Sequence, residues 1–104
     1  MAEEIWRPMQ TASFGNPLEP IDGYFISDHG NIESPTGTRL PQWSGKKGSV
    51  KYLTIVIHGK RYSVARLVLL TFVGKPFTFV CKAHHINNDL SDCRLENLEW
   101  QLRK

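Results

Sequence analysis

The stretch Tyr52-Leu53-Thr54-Ile55-Val56-Ile57-His58-Gly59-Lys60-Arg61-Tyr62-Ser63-Val64-Ala65-Arg66-Leu67-Val68-Leu69-Leu70-Thr71-Phe72 decides the fold, because its hydrophobic period changes partway along it. Leu53, Ile55 and Ile57 fall on alternate positions, the two-residue period of a strand with one face on a core. His58-Gly59-Lys60 then reads as a turn and Arg61-Tyr62-Ser63 as the returning strand, so the segment predicts a β-hairpin. Beyond it the period lengthens. Val64, Leu67, Val68, Thr71 and Phe72 follow the i, i+3, i+4, i+7, i+8 spacing of a buried helical stripe, with Ser63 placed to cap its first turn. Gly74 and Pro76 stop it. A small antiparallel sheet with one packed helix is the expected core, an α+β arrangement.

Working outward, Tyr24-Phe25-Ile26-Ser27 and Asn31-Ile32-Glu33-Ser34 flank Asp28-His29-Gly30, which predicts a second short hairpin. Residues 36–48 are polar and glycine-rich and read as a loop around an extended piece at 40–43, with Lys46 and Lys47 exposed. Pro8, Pro17 and Pro20 and the Asn16-Pro17 step predict an irregular arm over 1–20, anchored by Trp6. The expected organisation is therefore an arm (1–22), a β-rich module with one helix (23–76) and a C-terminal module (77–104).

With 104 residues, of which 40% are hydrophobic, the chain has room for one domain with a modest core. No apolar run reaches the roughly 20 residues that cross a bilayer, and Met1-Ala2-Glu3-Glu4 lacks the layout of a secretion signal, so a cytoplasmic location and no membrane partner are expected. Cys81 and Cys93 read as free thiols in a reducing compartment. The net charge of +3 conceals a segregation. Residues 1–33 hold six carboxylates against Arg7 alone, whereas residues 34–88 have none and carry Arg39, Lys46, Lys47, Lys51, Lys60, Arg61, Arg66, Lys75 and Lys82. Such a block suits a polyanion, and each phosphate it neutralises releases condensed counterions. The plainer reading is a solvated basic face balanced in space by the acidic N-terminal third.

The chemistry gathers in Cys81-Lys82-Ala83-His84-His85-Ile86-Asn87-Asn88-Asp89-Leu90-Ser91-Asp92-Cys93-Arg94-Leu95-Glu96-Asn97-Leu98-Glu99-Trp100. Adjacent histidines on an extended strand project to opposite sides, so His84 and His85 take different jobs. One imidazole suits a divalent metal, and the other, with an ordinary pKa near 6.5, can take a proton from water. Hydrolysis of a phosphodiester uses both functions. The run from Asn87 to Asp92 is turn chemistry, and Leu98 and Trp100 are placed to pack beneath it.

These residues resemble the HNH motif of phage and intron-encoded homing endonucleases. The likeness lies in His84-His85-Ile86-Asn87-Asn88-Asp89 followed by Arg94-Leu95-Glu96-Asn97-Leu98-Glu99-Trp100. Ile5-Trp6-Arg7-Pro8, the segment from Tyr24 to Ile32 and that from Leu53 to Phe72 resemble the β-rich module that often precedes it. The resemblance implies a His-Me finger (ββα-metal) module, metal-dependent endonuclease or nickase activity, and DNA as partner. It implies His85 as general base, Asn97 as the central Asn fixing the loop, and His84 as ligand of a divalent metal such as Mg2+, Mn2+ or Zn2+. Lys46, Lys47, Lys51, Lys60, Arg61, Arg66, Lys82 and Arg94 are the candidate DNA contacts, although an exposed arginine in a turn is the plainer reading of Arg94. A further ligand, on the helix that follows in the family, would fall past Lys104, so the expected module lacks its final helix. The missing ligand would have to come from the free carboxylate of Lys104, from a second copy in a homodimer or a partner, or from DNA phosphates. Two alternatives stay open. One is an inactive phage protein of HNH descent that binds DNA or modulates a host protein, and the other is a zinc knot through Cys81, His84, His85 and Cys93.

Overall fold

The computed structural model of the chain describes residues 3–12, 17–47, 50–76 and 81–102, with 43–47, 50 and 51 described in their backbone alone. It is a small α+β fold, with antiparallel sheets around one helix. Strand β1 (Trp6–Thr11) pairs antiparallel with β2 (Glu19–Ser27), which pairs with the short β3 (Ile32–Glu33). A second sheet is formed by β4 (Trp43–Lys47), β5 (Val50–Ile57) and β6 (Lys60–Ser63), in that spatial order. Helix α1 (Val64–Phe72) follows, and then a two-stranded sheet, β7 (Cys81–His85) with β8 (Leu98–Leu102).

The hairpin and helix form as their patterns predict. His58 and Gly59 both have positive φ, 51° and 77°, the backbone a two-residue turn between twisted strands requires. Ile55 and Ile57 are buried while Val56 between them is exposed. The Ser63 hydroxyl accepts from the Arg66 N–H at 3.3 Å, satisfying one of the free donors of the first turn. At the other end the N–H groups of Val73 and Gly74 both donate to the Leu69 carbonyl, and Gly74 takes φ 106°.

Two expectations need correction. Residues 6–11 are not irregular but form the strand β1. Pro8 is tolerated because β1 is the edge of its sheet, and the ladder breaks register between Pro8 and Gln10. Pro20 likewise lies inside β2, opposite Gln10. The loop expected over 36–48 gives way to β4, whose Lys46 is opposite Lys51 of β5 in the ladder. This pairing gives the β5 backbone a partner on its second side.

The core draws on every part of the chain: Met9, Ile26, Ile32, Ile55, Ile57, Val64, Leu67, Val68, Leu69, Cys93 and Leu98 form one buried cluster. Helix α1 lies at its centre, with Ala65 and Leu70 buried as well. The C-terminal hairpin thus rests on the same core as the two larger sheets. Among the described residues no helix is long and apolar enough to cross a membrane.

Candidate functional site

The β7–β8 ladder sorts the two histidines. Its register places Cys81 opposite Leu102, Ala83 opposite Trp100 and His85 opposite Leu98, and between these Lys82 faces Gln101 and His84 faces Glu99. Since side chains alternate across a ladder, His85 shares the inner face with Cys81 and Leu98, and His84 shares the outer face with Lys82 and Glu99. The inner face is buried: His85 is 7% exposed, and its Nε2 lies 3.9 Å from the Cys93 Sγ. On the outer face the Nε2 of His84 lies 3.7 Å from the Glu99 carboxylate.

Burial first, and the neighbouring His84 second, depress the His85 pKa below its ordinary 6.5. The carboxylates of Asp92 and Asp89 oppose that shift without cancelling it. The imidazole is therefore neutral near pH 7 and able to accept a proton. Burial, reinforced by Asp92 and Asp89, pushes the Cys93 thiol up to about 12, so it stays protonated.

The loop between the strands is held by Asn97, which is buried at the end of the single 3₁₀ turn Leu95–Asn97. Its Oδ1 accepts from the Asn87 N–H at 3.0 Å. Its Nδ2 donates to the Asn87 Oδ1 at 2.9 Å and to the Asp92 carbonyl at 3.0 Å. Its backbone carbonyl accepts from Ile86, completing a clasp around the residues that follow His85. Within the loop the Asn87 and Asp89 side chains accept from the N–H groups two residues on, and Asn88 adopts φ 63°, which asparagine bears better than most residues.

The loop is also latched to the first sheet. The Leu95 N–H donates to the Asp28 carbonyl at 2.7 Å. Gly30, at φ 84°, lies so close that a Cβ there would stand 2.9 Å from the Cys93 carbonyl oxygen. Asp28-His29-Gly30 is thus the backing of the loop as well as a hairpin turn. Glu4 accepts from the Ser27 hydroxyl and the Asn31 amide, tying the N-terminal segment to the same turn.

The candidate cations divide into groups. Lys60 and Arg61 are exposed on β6, and Arg66 is half-buried on α1 with its guanidinium 5.6 Å from the Trp100 ring. Lys82 is exposed beside His84. Arg94 is engaged by Asp92 at 2.8 Å and Glu96 at 2.7 Å. Lys46, Lys47 and Lys51 lie on β4 and β5, and their side chains fall outside the described residues.

Cys81 and Cys93 are both free and buried. A zinc knot through them and both histidines is not formed, because the ladder turns His84 to the opposite face from Cys81 and His85. Among the described residues no three His, Cys, Asp or Glu side chains gather as a metal-holding group; His84 and Glu99 form a pair. Glu99 was not among the site residues singled out from sequence, and Cys93 was named there only as a free thiol or a zinc-knot ligand, not as a neighbour of the His85 ring. The signal for Glu99 was available in principle, since pairing His85 with Leu98 fixes His84 opposite Glu99.

No family model matches the chain, and no solved structure matches it. An uncharacterized HNH endonuclease of Acanthamoeba polyphaga mimivirus is 33% identical to it over 100 residues, a match that covers 93% of this chain and 23% of the relative. The chain thus spans about a quarter of the length of the curated relative it matches. This likeness supports an HNH-type relationship.

Proposed function

We propose that the chain is an HNH-type nuclease module that acts on DNA phosphodiester bonds. The observation that carries this reading is the Asn97 clasp, which holds the loop after His84 and His85 in one shape through three side-chain hydrogen bonds. A rigid loop beside a neutral imidazole is what a positioned general base requires. The name of the mimivirus relative supports DNA as the substrate.

In this reading His85 takes the proton of the attacking water. Its Nε2 lies 3.9 Å from the protonated Cys93 thiol, a contact in which either group can donate, and the ring nitrogen that carries no hydrogen is the one that accepts. Asn97 positions this ring through the loop and touches no reacting atom. His84 with Glu99 offers one nitrogen and one carboxylate to a divalent cation, a partial donor set that phosphate oxygens of the substrate would extend. Such a cation, when bound, stabilises the charge that develops on the leaving 3′ oxygen. Lys82, on the same face as His84, adds positive charge beside the scissile phosphate. The ββα-metal finger belongs to this reading.

Plasmid nicking with Mg2+, Mn2+ or Zn2+, comparing the protein with His85→Ala, tests it. Metal-dependent nicking that the substitution abolishes supports the enzyme. The near-complete burial of His85 favours a second reading, a scaffold that binds DNA without turnover. Binding of the same plasmid with no nicking under any of the three metals would select that one.

A further inference from the structure

Lys60, Arg61 and Arg66 all line one cavity. It lies where the free edge of β6 joins α1 and the far end of the β1–β2 ribbon, with a volume of about 300 Å³. All four residues of β6 line it, together with Thr11, Ala12 and Glu19 on one side and Arg66, Leu67 and Leu70 on the other. Three cationic residues and one acidic residue, Glu19, therefore line it. Among the described residues none of the three is in an ion pair. Arg66 is held in place by the Ala12 carbonyl at 3.4 Å and by the Trp100 ring, and Lys60 lies 5.6 Å from the Tyr62 ring centre. These contacts orient the charges without neutralising them.

Like charges lining one concave site repel one another, and an anion in the cavity relieves that repulsion. The buried side chains Leu67 and Leu70 add an apolar floor, and Thr11, Tyr62 and Ser63 complete the walls. Charged walls over an apolar floor suit a ligand with an anionic head and a flatter, less polar body, and the volume is at the lower end of the range for small-ligand sites. We propose that this cavity binds a nucleotide unit through its phosphate, with sugar and base resting towards Leu67 and Leu70. That the nucleotide comes from a nucleic-acid strand rests on the nuclease reading above; the preference for a phosphate ester rests on the cavity alone. The site would grip a strand away from the histidine loop and so set where that strand is presented.

The test is a 15N NMR titration of the whole chain with inorganic phosphate, with a deoxymononucleotide such as dTMP, and with a short DNA duplex, repeated on the double variant Lys60→Gln/Arg61→Gln. Both residues are exposed, so the variant folds. The expected result is that dTMP and duplex shift the amides of residues 60–67, with phosphate moving the same signals more weakly. The double variant weakens dTMP binding by about tenfold and lowers the slope of log affinity against log salt for duplex by about one, the value for the single phosphate held in the cavity. Shifts spread evenly over the cationic surface, or affinities unchanged in the variant, would overturn the site. Phosphate binding as tightly as dTMP would overturn the nucleotide. Binding of dTMP without duplex at residues 60–67 would overturn the strand as its source. Plasmid nicking is read separately from these titrations, so failure of the nuclease reading and failure of the cavity are separable.

Discussion

Replacing Asn97 with alanine removes three hydrogen bonds from one buried side chain, and its cost can be worked from the geometry. The bonds run to the Asn87 N–H, the Asn87 side-chain oxygen and the Asp92 carbonyl, at 3.0, 2.9 and 3.0 Å. At about 1 kcal/mol net for each, the ceiling is about 3 kcal/mol. Asn87 is exposed and water can take up part of its loss, so about 2 kcal/mol is the expected destabilisation. For a domain of this size that is a large share of a total of about 5–15 kcal/mol. In urea, with a slope of about 1 kcal/mol/M, the midpoint falls by about 2 M. Asn97→Asp keeps the acceptor for the Asn87 N–H, loses both donors and sets a carboxylate against two oxygens, so it should be no more stable than the alanine variant. A loss below about 0.5 kcal/mol in Asn97→Ala would refute the reasoning, because the backbone bonds from Ile86 and Leu95 would then hold the loop unaided.

Two further outcomes follow from the same elements. Gly30→Ala forces a Cβ to 2.9 Å from the Cys93 carbonyl oxygen at a φ of 84°, and should cost about 2 kcal/mol or more, with NMR shift changes concentrated in residues 92–95. His85, whose pKa is lowered in the folded state, makes the unfolded chain the better proton binder at mildly acid pH. Its contribution is therefore fully present above the unfolded value near 6.5 and is lost as pH falls from there through the folded value. Urea midpoints at pH 7.5 and pH 5 should show that fall, and His85→Ala should flatten it.

The elements visible in the sequence are those whose signal is local. The β5–β6 hairpin and α1 announce themselves through a change of period, and Ser63 and Gly74 mark the helix ends by the backbone chemistry those positions need. Strand β1 was hidden because its prolines argue against a strand in general but not against an edge strand with a register break. Strand β4 was hidden because polar, glycine-containing sequence becomes a strand only when a neighbour such as β5 supplies the partner. The site divides the same way. The spacing from His85 to Asn97 is a property of the chain, and the structure places that amide around the residues following His85. Glu99 beside His84 and Cys93 beside His85 depend on strand register and loop closure, which no window of sequence displays. Arg94 shows the limit of counting charge, since Asp92 and Glu96 occupy its guanidinium.

The latch between the first hairpin turn and the C-terminal loop has a practical consequence for anyone wishing to transplant the histidine loop. Excised as a peptide, residues 81–102 would leave behind the glycine surface against which Cys93 sits and the Asp28 carbonyl that receives Leu95. The smallest graft that keeps the shape of the loop must therefore carry strands β2 and β3 with it, although some fifty residues of chain separate the two pieces.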